Sequence, residues 1–207
     1  MSIEIKKSKN PINYTYAINK LEKKVKKIIN QKDENELIWF LEHKSIYTAG
    51  SSYKNKDIIN KKIKIIRTKR GGRVTWHGPG QLVCYFVLDL KKRKKDIRKF
   101  IKIIEYSIIK TLSEYDIKSF SDRKNIGIWH KYKNKNKKIA AIGLRVRNWI
   151  VYHGFSINIS NDLLPYKKIF PCGLKKSDIN NLIKIKNQKY KNFSKVLEKN
   201  LINNLKI

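Results

Sequence analysis

Four of the nine glycines in this chain, Gly71, Gly72, Gly78 and Gly80, fall within ten residues. In a glycine-poor chain, such clustering marks backbone that needs left-handed torsions or an approach closer than a Cβ allows. The segment is RGGRVTWHGPGQ, residues 70–81. With four glycines and a proline in twelve residues it is expected to be neither helix nor strand. It reads as a pocket wall with Thr75 and His77 as polar handles, the plainer alternative being a tight loop between strands. Residues 82–90 (LVCYFVLDL) follow at once, β-branched and aromatic, and predict a central strand.

The remaining elements arrange themselves around that strand. Apolar positions at Tyr14, Ile18, Leu21, Val25 and Ile28 recur at helical spacing. Residues 36–42 and 63–67 are short apolar runs that read as strands. Asp96 is a candidate N-cap for a long helix with Phe100, Ile104, Ile108 and Leu112 on its inner face. Residues 127–130 and 138–147 flank the polar run KYKNKNK as a hairpin, and Asn148 and Trp149 turn the chain into a strand over 150–160. Residues 162–173 read as a loop or a short turn of helix. The C-terminal segment closes as a helix through Phe193, Val196, Leu197 and Leu201. Successive strands without helices between them argue against a doubly wound parallel sheet. The predicted class is α+β: a mixed, mostly antiparallel sheet flanked by helices, one domain over residues 1–207 with 175–207 as a C-terminal helical closure.

Composition narrows the function. Forty-nine Lys and Arg against sixteen Asp and Glu give a net charge of +33, which at face value reads as a nucleic-acid binder. Yet 41 of those cations are Lys, and Lys, Ile and Asn together make 94 of the 207 residues. All three have AT-rich codons, and the lysines are spread along the whole chain. Coding bias therefore explains most of the excess, no nucleic-acid partner is expected, and the remaining positive field steers acidic partners. No apolar stretch approaches the ~20 residues of a membrane helix. The basic N-terminus MSIEIKKSKNP is followed by no apolar signal region. Two cysteines make no disulfide framework, so a cytoplasmic chain is expected.

A few positions carry chemistry. Cys84, inside the apolar strand, reads as a small buried hydrophobe. Cys172 sits in FPCGL with Lys167, Lys168, Lys175 and Lys176 close in sequence, a setting that favours thiolate. Lys138 heads an apolar strand whose small residues Ala140, Ala141 and Gly143 leave space beside it. His153-Gly154-Phe155-Ser156 repeats that pattern on the next strand, so that pairing of the two lines one cavity. No metal is expected, since two cysteines and four scattered histidines supply no CxxC pair and no HExxH. Neither a Walker A loop nor a dinucleotide fingerprint is present.

Taken together, RGGRVTWHGPGQ (70–81), KIAAIGLRVR (138–147), HGFSIN (153–158) and PCG (171–173) resemble, in order and spacing, the octanoyltransferases of lipoate biosynthesis. The resemblance runs from about residue 37 to 174. Trp76 stands where Tyr or Phe is usual, and Ser156-Ile157 replaces an Ala-Leu pair. It implies a biotin/lipoate protein-ligase-like fold. It also implies transfer of an octanoyl group from octanoyl-acyl carrier protein to a lysine of lipoyl domains, in 2-oxoacid dehydrogenase E2 subunits and the glycine-cleavage H protein. By motif position Cys172 is the nucleophile that forms an acyl-thioester, and Lys138 lowers its pKa and relays protons. The substrate-binding set is Arg70, Gly71, Gly72, Arg73, Val74, Thr75, Trp76 and His77, with Ala141, Ile142, Gly143, Gly154, Phe155 and Ser156. The family implies no cofactor and a monomer. The rivals are an ATP-dependent lipoate or biotin ligase, which does not need Cys172, a cysteine acyl hydrolase, and a basic nucleic-acid-binding module.

Overall fold

The computed structural model describes residues 2–33, 35–123 and 125–205, without the side chains of Cys172 and Lys176. Its elements in chain order are β1 (Ile3–Lys7), α1 (Tyr14–Ile29), β2 (Glu36–Leu41), β3 (Ile46–Ala49), β4 (Ile65–Arg67), β5 (Val74–His77) and β6 (Gln81–Asp89). There follow α2 (Ile97–Ser113), β7 (Phe120–Ser121), β8 (Ile128–Tyr132), β9 (Lys135–Arg147), β10 (Ile150–Asn158), the single-turn α3 (Leu182–Ile185) and α4 (Phe193–Leu205). Short 3-10 turns at Asn55–Asp57, Leu164–Lys168 and Pro171–Gly173 fill the longer connections.

Seven strands form the main sheet in the order β1-β2-β6-β10-β9-β8-β7. Its one parallel pair is β1 with β2, and the other pairings are antiparallel. β2 and β6 are buried on both faces, and apart from their polar end residues both are apolar. Ile38, Phe40, Leu82, Cys84, Phe86 and Leu88 pack into the core beneath α2 and α4. Leu37, Trp39, Val83, Tyr85 and Val87 face the opposite core with Ala17, Leu21 and Val25 of α1. Both long helices start where a side chain caps them, Asn13 accepting from the Tyr16 N–H at 3.1 Å and Asp96 from the Lys99 N–H at 2.9 Å, each worth about 1 kcal/mol.

A second sheet, β4-β3-β5, stands beside the first over a core of its own that includes Val74, Trp76, Tyr166 and Ile169. Here the structure corrects one expectation. Residues 70–81 are not irregular throughout, because Val74–His77 pair with β3 in register Ile46 to His77. The glycines bracket a strand too short to announce itself. The polar run after β8 is likewise mostly strand: the turn is only Lys133-Asn134, both left-handed at φ 45° and 60°, and lysines flank it on an exposed hairpin.

Candidate active site

The site begins with the pairing of β9 and β10, which sets Ala141 opposite Ser156, Ile142 opposite Phe155 and Gly143 opposite Gly154. The glycines there are demanded by backbone contact. A Cβ on Gly154 collides with the Cys84 carbonyl, so β10 lies hard against β6 at that level. One on Gly71 comes within 2.9 Å of the Leu144 carbonyl, to which the Gly71 N–H donates at 2.9 Å. The glycine loop therefore rests directly on β9.

Between loop and sheet lies a narrow cavity. Its walls bring together Arg70, Gly71, Gly72, Thr75, His77, Ala141, Ile142, Gly143, Gly154, Phe155 and Ser156, with Val83, Tyr85 and His153 added. Its volume of about 50 Å³ is one or two waters' share of liquid volume, so a chain-like ligand enters only as a wall gives way. A second compartment continues it through the shared residues Thr75, Ala141 and Ser156 and reaches Lys138, Ala140, Asn158, Tyr166, Pro171 and Ile179.

Three residues of the expected substrate-binding set stand elsewhere. The two-residue period of β5 sends Thr75 and His77 to the cavity and turns Val74 and Trp76 into the core of the small sheet. Arg73 grips Asp57, its Nε donating to Oδ2 at 2.7 Å and its Nη2 to Oδ1. Asp57 is fully buried, and its backbone carbonyl accepts from the Phe170 N–H at 2.7 Å. Gly173 lies left-handed at φ 81° directly on the Arg73 guanidinium, where a side chain has no room. Arg73 and Asp57 thus hold the Pro171–Gly173 turn against the small sheet. Cys172 belongs to that turn; its side chain lies outside the described residues.

Lys138 enters β9 just below the second compartment and is only 6% exposed. Its Nζ donates to the Ile126 carbonyl at 3.0 Å and stands 4.8 Å from the centre of the Trp129 ring, an arrangement that offsets part of the cost of burying an ammonium. Gly127 makes the space: at φ 138°, a Cβ there lies 2.6 Å from the Ala140 carbonyl and 3.3 Å from Lys138 Nζ.

A network of neutral rings borders both compartments. His43 Nδ1 lies 2.9 Å from the Ile12 carbonyl, so it carries the proton, and Nε2 accepts from the Tyr85 hydroxyl at 2.8 Å. Gln81 Nε2 donates to Asn158 Oδ1 at 2.9 Å and to the Tyr166 hydroxyl at 3.0 Å. Its Oε1 therefore accepts from His77 Nδ1 at 2.7 Å. Burial pushes the His43 pKa down to about 4. Burial, then His43 and Arg70, takes His77 to about 3, and burial, then Arg70 and Arg145, takes His153 to about 3. Arg70 is itself buried on neutral oxygens, its Nη2 donating to the Thr48 carbonyl and hydroxyl and to the Arg73 carbonyl at 2.9–3.0 Å. Its Nε and the Tyr14 hydroxyl, which stands near Thr68 and Tyr85, make no well-formed hydrogen bond.

Sequence reasoning assigns no role to His43, Tyr85, Gly127 or Asp57. Each comes from a separate element and carries no local signal. His153 alone stood inside a recognised motif.

A pocket between a glycine loop and a strand pair, with a buried lysine at its mouth, defines an acyl-handling member of the lipoate and biotin ligase fold. The chain belongs to the family described as lipoyl protein ligase A/B catalytic domain, which it matches over residues 14–202. Among its relatives are the octanoyltransferases of Anaplasma phagocytophilum, 42% identical over 184 residues covering 88% of each chain, and of a Wolbachia of Brugia malayi, 45% identical over 79% of this chain and 80% of that one. Solved structures share the fold at lower identity. ATP-bound lipoate-protein ligase A superposes with TM-score 0.72 at 15% identity, covering all of this chain and 87% of that one. The bipartite ligase of Thermoplasma acidophilum gives 0.73 at 15%, covering all of this chain and 85% of that one.

Proposed function

We propose that this chain is an octanoyltransferase that takes the octanoyl group of octanoyl-acyl carrier protein onto Cys172 and delivers it to a specific lysine of lipoyl domains. The acceptors are those of 2-oxoacid dehydrogenase E2 subunits and the glycine-cleavage H protein. We place it in the cytoplasm, as a monomer. One observation carries the reading: the compartment that holds the buried Lys138 amine is walled by Pro171, the residue before Cys172, and adjoins the glycine-walled cavity at Thr75, Ala141 and Ser156, which line both.

The chemistry follows from those positions. Lys138 takes the proton of the Cys172 thiol and the thiolate attacks the thioester carbonyl of the donor; a new C–S bond forms, the old one breaks, and the carrier sulfur departs with that proton from Lys138. The exchange of one thioester for another is nearly isoenergetic, and a thiolate both attacks and leaves well. In the second half the acceptor amine attacks the acyl-Cys carbonyl, the C–S bond breaks, and the proton lost by nitrogen returns to sulfur through Lys138. Amide formation from a thioester runs downhill, so the reaction needs no ATP. The oxyanion needs donors near Cys172. The Gly173 N–H is engaged by the Phe170 carbonyl at 3.1 Å and the Gly71 N–H by Leu144, so neither serves while those bonds hold.

Incubation with octanoyl-acyl carrier protein and an unmodified lipoyl domain, without ATP, tests the proposal. The expected result is one octanoyl mass on the domain. Modification only with ATP and free octanoate instead assigns the chain to the ligases, and release of free octanoate without modification assigns it to the hydrolases.

A further inference from the structure

Transfer at Cys172 and Lys138 uses the second compartment and leaves the far end of the glycine-walled cavity without a task. His153 stands there, on β10, in an unusual posture. Its φ of 66° breaks the alternation of the strand. Its ring stacks on that of its neighbour Tyr152 with centroids 5.0 Å apart, and meets Tyr85 edge-on at 6.4 Å. The residue is 1% exposed and lines the cavity, yet neither Nδ1 nor Nε2 has a hydrogen-bond partner in the protein. A left-handed non-glycine residue with a buried, unpaired ring is held in place by its surroundings against a backbone cost.

Distance gives the posture a meaning. Ser156 lines both compartments, and His153 lies three residues further along the same strand, about 10 Å away at the rise of a β-strand. The seven C–C bonds of an extended octanoyl chain span about 9 Å. A chain whose carbonyl sits at the level of Ser156 therefore ends at His153.

Resting on the octanoyl-transfer reading, we propose that His153 is the length stop of the acyl pocket. Its ring nitrogens form a polar end wall that an eight-carbon chain just reaches and a longer chain must cover with apolar carbon. An imidazole has one donor and one acceptor nitrogen, both satisfied by water held at the closed end. Two further methylenes displace that water and replace neither bond, which costs the longer chain about tenfold or more in binding. The sheet position fixes the stop: β10 is paired on both sides, with β6 and with β9.

The test compares wild type, His153→Leu and His153→Gln with octanoyl-, decanoyl- and dodecanoyl-acyl carrier protein, reading kcat/KM for each length. Wild type is expected to favour octanoyl over decanoyl about tenfold or more. H153L, which keeps the volume and removes both nitrogens, is expected to bring the two within about threefold; H153Q, which keeps a donor and an acceptor, retains most of the preference. Octanoyl transfer with a length profile unchanged in H153L overturns the stop alone. Loss of all transfer in wild type overturns the underlying reading and the stop with it. A second measurement needs no variant: thermal stabilisation of the wild-type protein by free C6 to C12 fatty acids. It is expected to peak at eight carbons, and a rise continuing through twelve contradicts the proposal.

Discussion

The two ends of the cavity are both buried and both polar, but in opposite senses. In the compartment walled by Pro171 a lysine is held: Lys138 Nζ has the Ile126 carbonyl at 3.0 Å and the Trp129 ring centre at 4.8 Å. Along the glycine-walled cavity and behind it, His43, His77 and His153 are all driven well below the ordinary histidine range. The distinction follows function. On the proposed reaction, the lysine stands where a thiolate and an oxyanion would develop, and the neutral rings stand where the chain would lie. Arg70, a cation held on neutral oxygens, helps keep the nearby His77 and His153 unprotonated.

Removing the charge at the mouth is the most severe way to break this contrast. Lys138→Met is expected to lower kcat/KM for octanoyl transfer by about 10³-fold while the far-ultraviolet circular dichroism stays that of wild type. Next in size is Gly154→Ala, whose added methyl meets the Cys84 carbonyl between the two central strands. It is expected to cost about 3 kcal/mol or more, seen as a lowered denaturation midpoint or loss of soluble protein. Gly143→Ala, with 3.2 Å to the Gly71 carbonyl, is the milder counterpart.

Gly127→Ala sharpens the comparison without touching the deep end. By crowding the Lys138 ammonium it is expected to reduce kcat about tenfold and to leave the chain-length profile as it was; a changed profile breaks the separation of the two ends. The smallest effect per group is the pH dependence of stability. Below about pH 6.5 the unfolded chain protonates its histidines, whereas folded His43 resists to about 4 and His77 and His153 to about 3. The unfolded state binds more protons in that window. Stability is therefore full above pH 6.5 and falls toward pH 4, by roughly 1.4 kcal/mol per pH unit for each ring at most. Urea midpoints across that range, in wild type and His43→Gln, measure it: the variant is expected to show the shallower slope.

What was legible in the sequence depended on burial. Strand β6 is apolar on both faces because helices cover both, so residues 82–90 declared themselves. Edge strand β1, IEIKK, alternates with lysine like much of this chain and did not. The glycine cluster points to the cavity, but what Gly71 and Gly80 press against comes from elsewhere in the chain, the Leu144 carbonyl for Gly71 and the Asn161 backbone for Gly80. A motif read as one block could not separate Thr75 and His77 from Val74 and Trp76, which the pleat sends to opposite sides. Arg73, expected at the substrate, pairs with Asp57, sixteen residues upstream in a 3-10 turn that no local pattern marks.

The account's central claim is that the acyl group passes through Cys172 beside Lys138, and intact-protein mass spectrometry tests it most directly. Wild type and Cys172→Ala are mixed with octanoyl-acyl carrier protein, without ATP and without acceptor. The predicted result is one octanoyl mass on wild type, absent from the variant and discharged when a lipoyl domain is added. No adduct on wild type, with lipoyl-domain modification equally fast in both proteins, contradicts it.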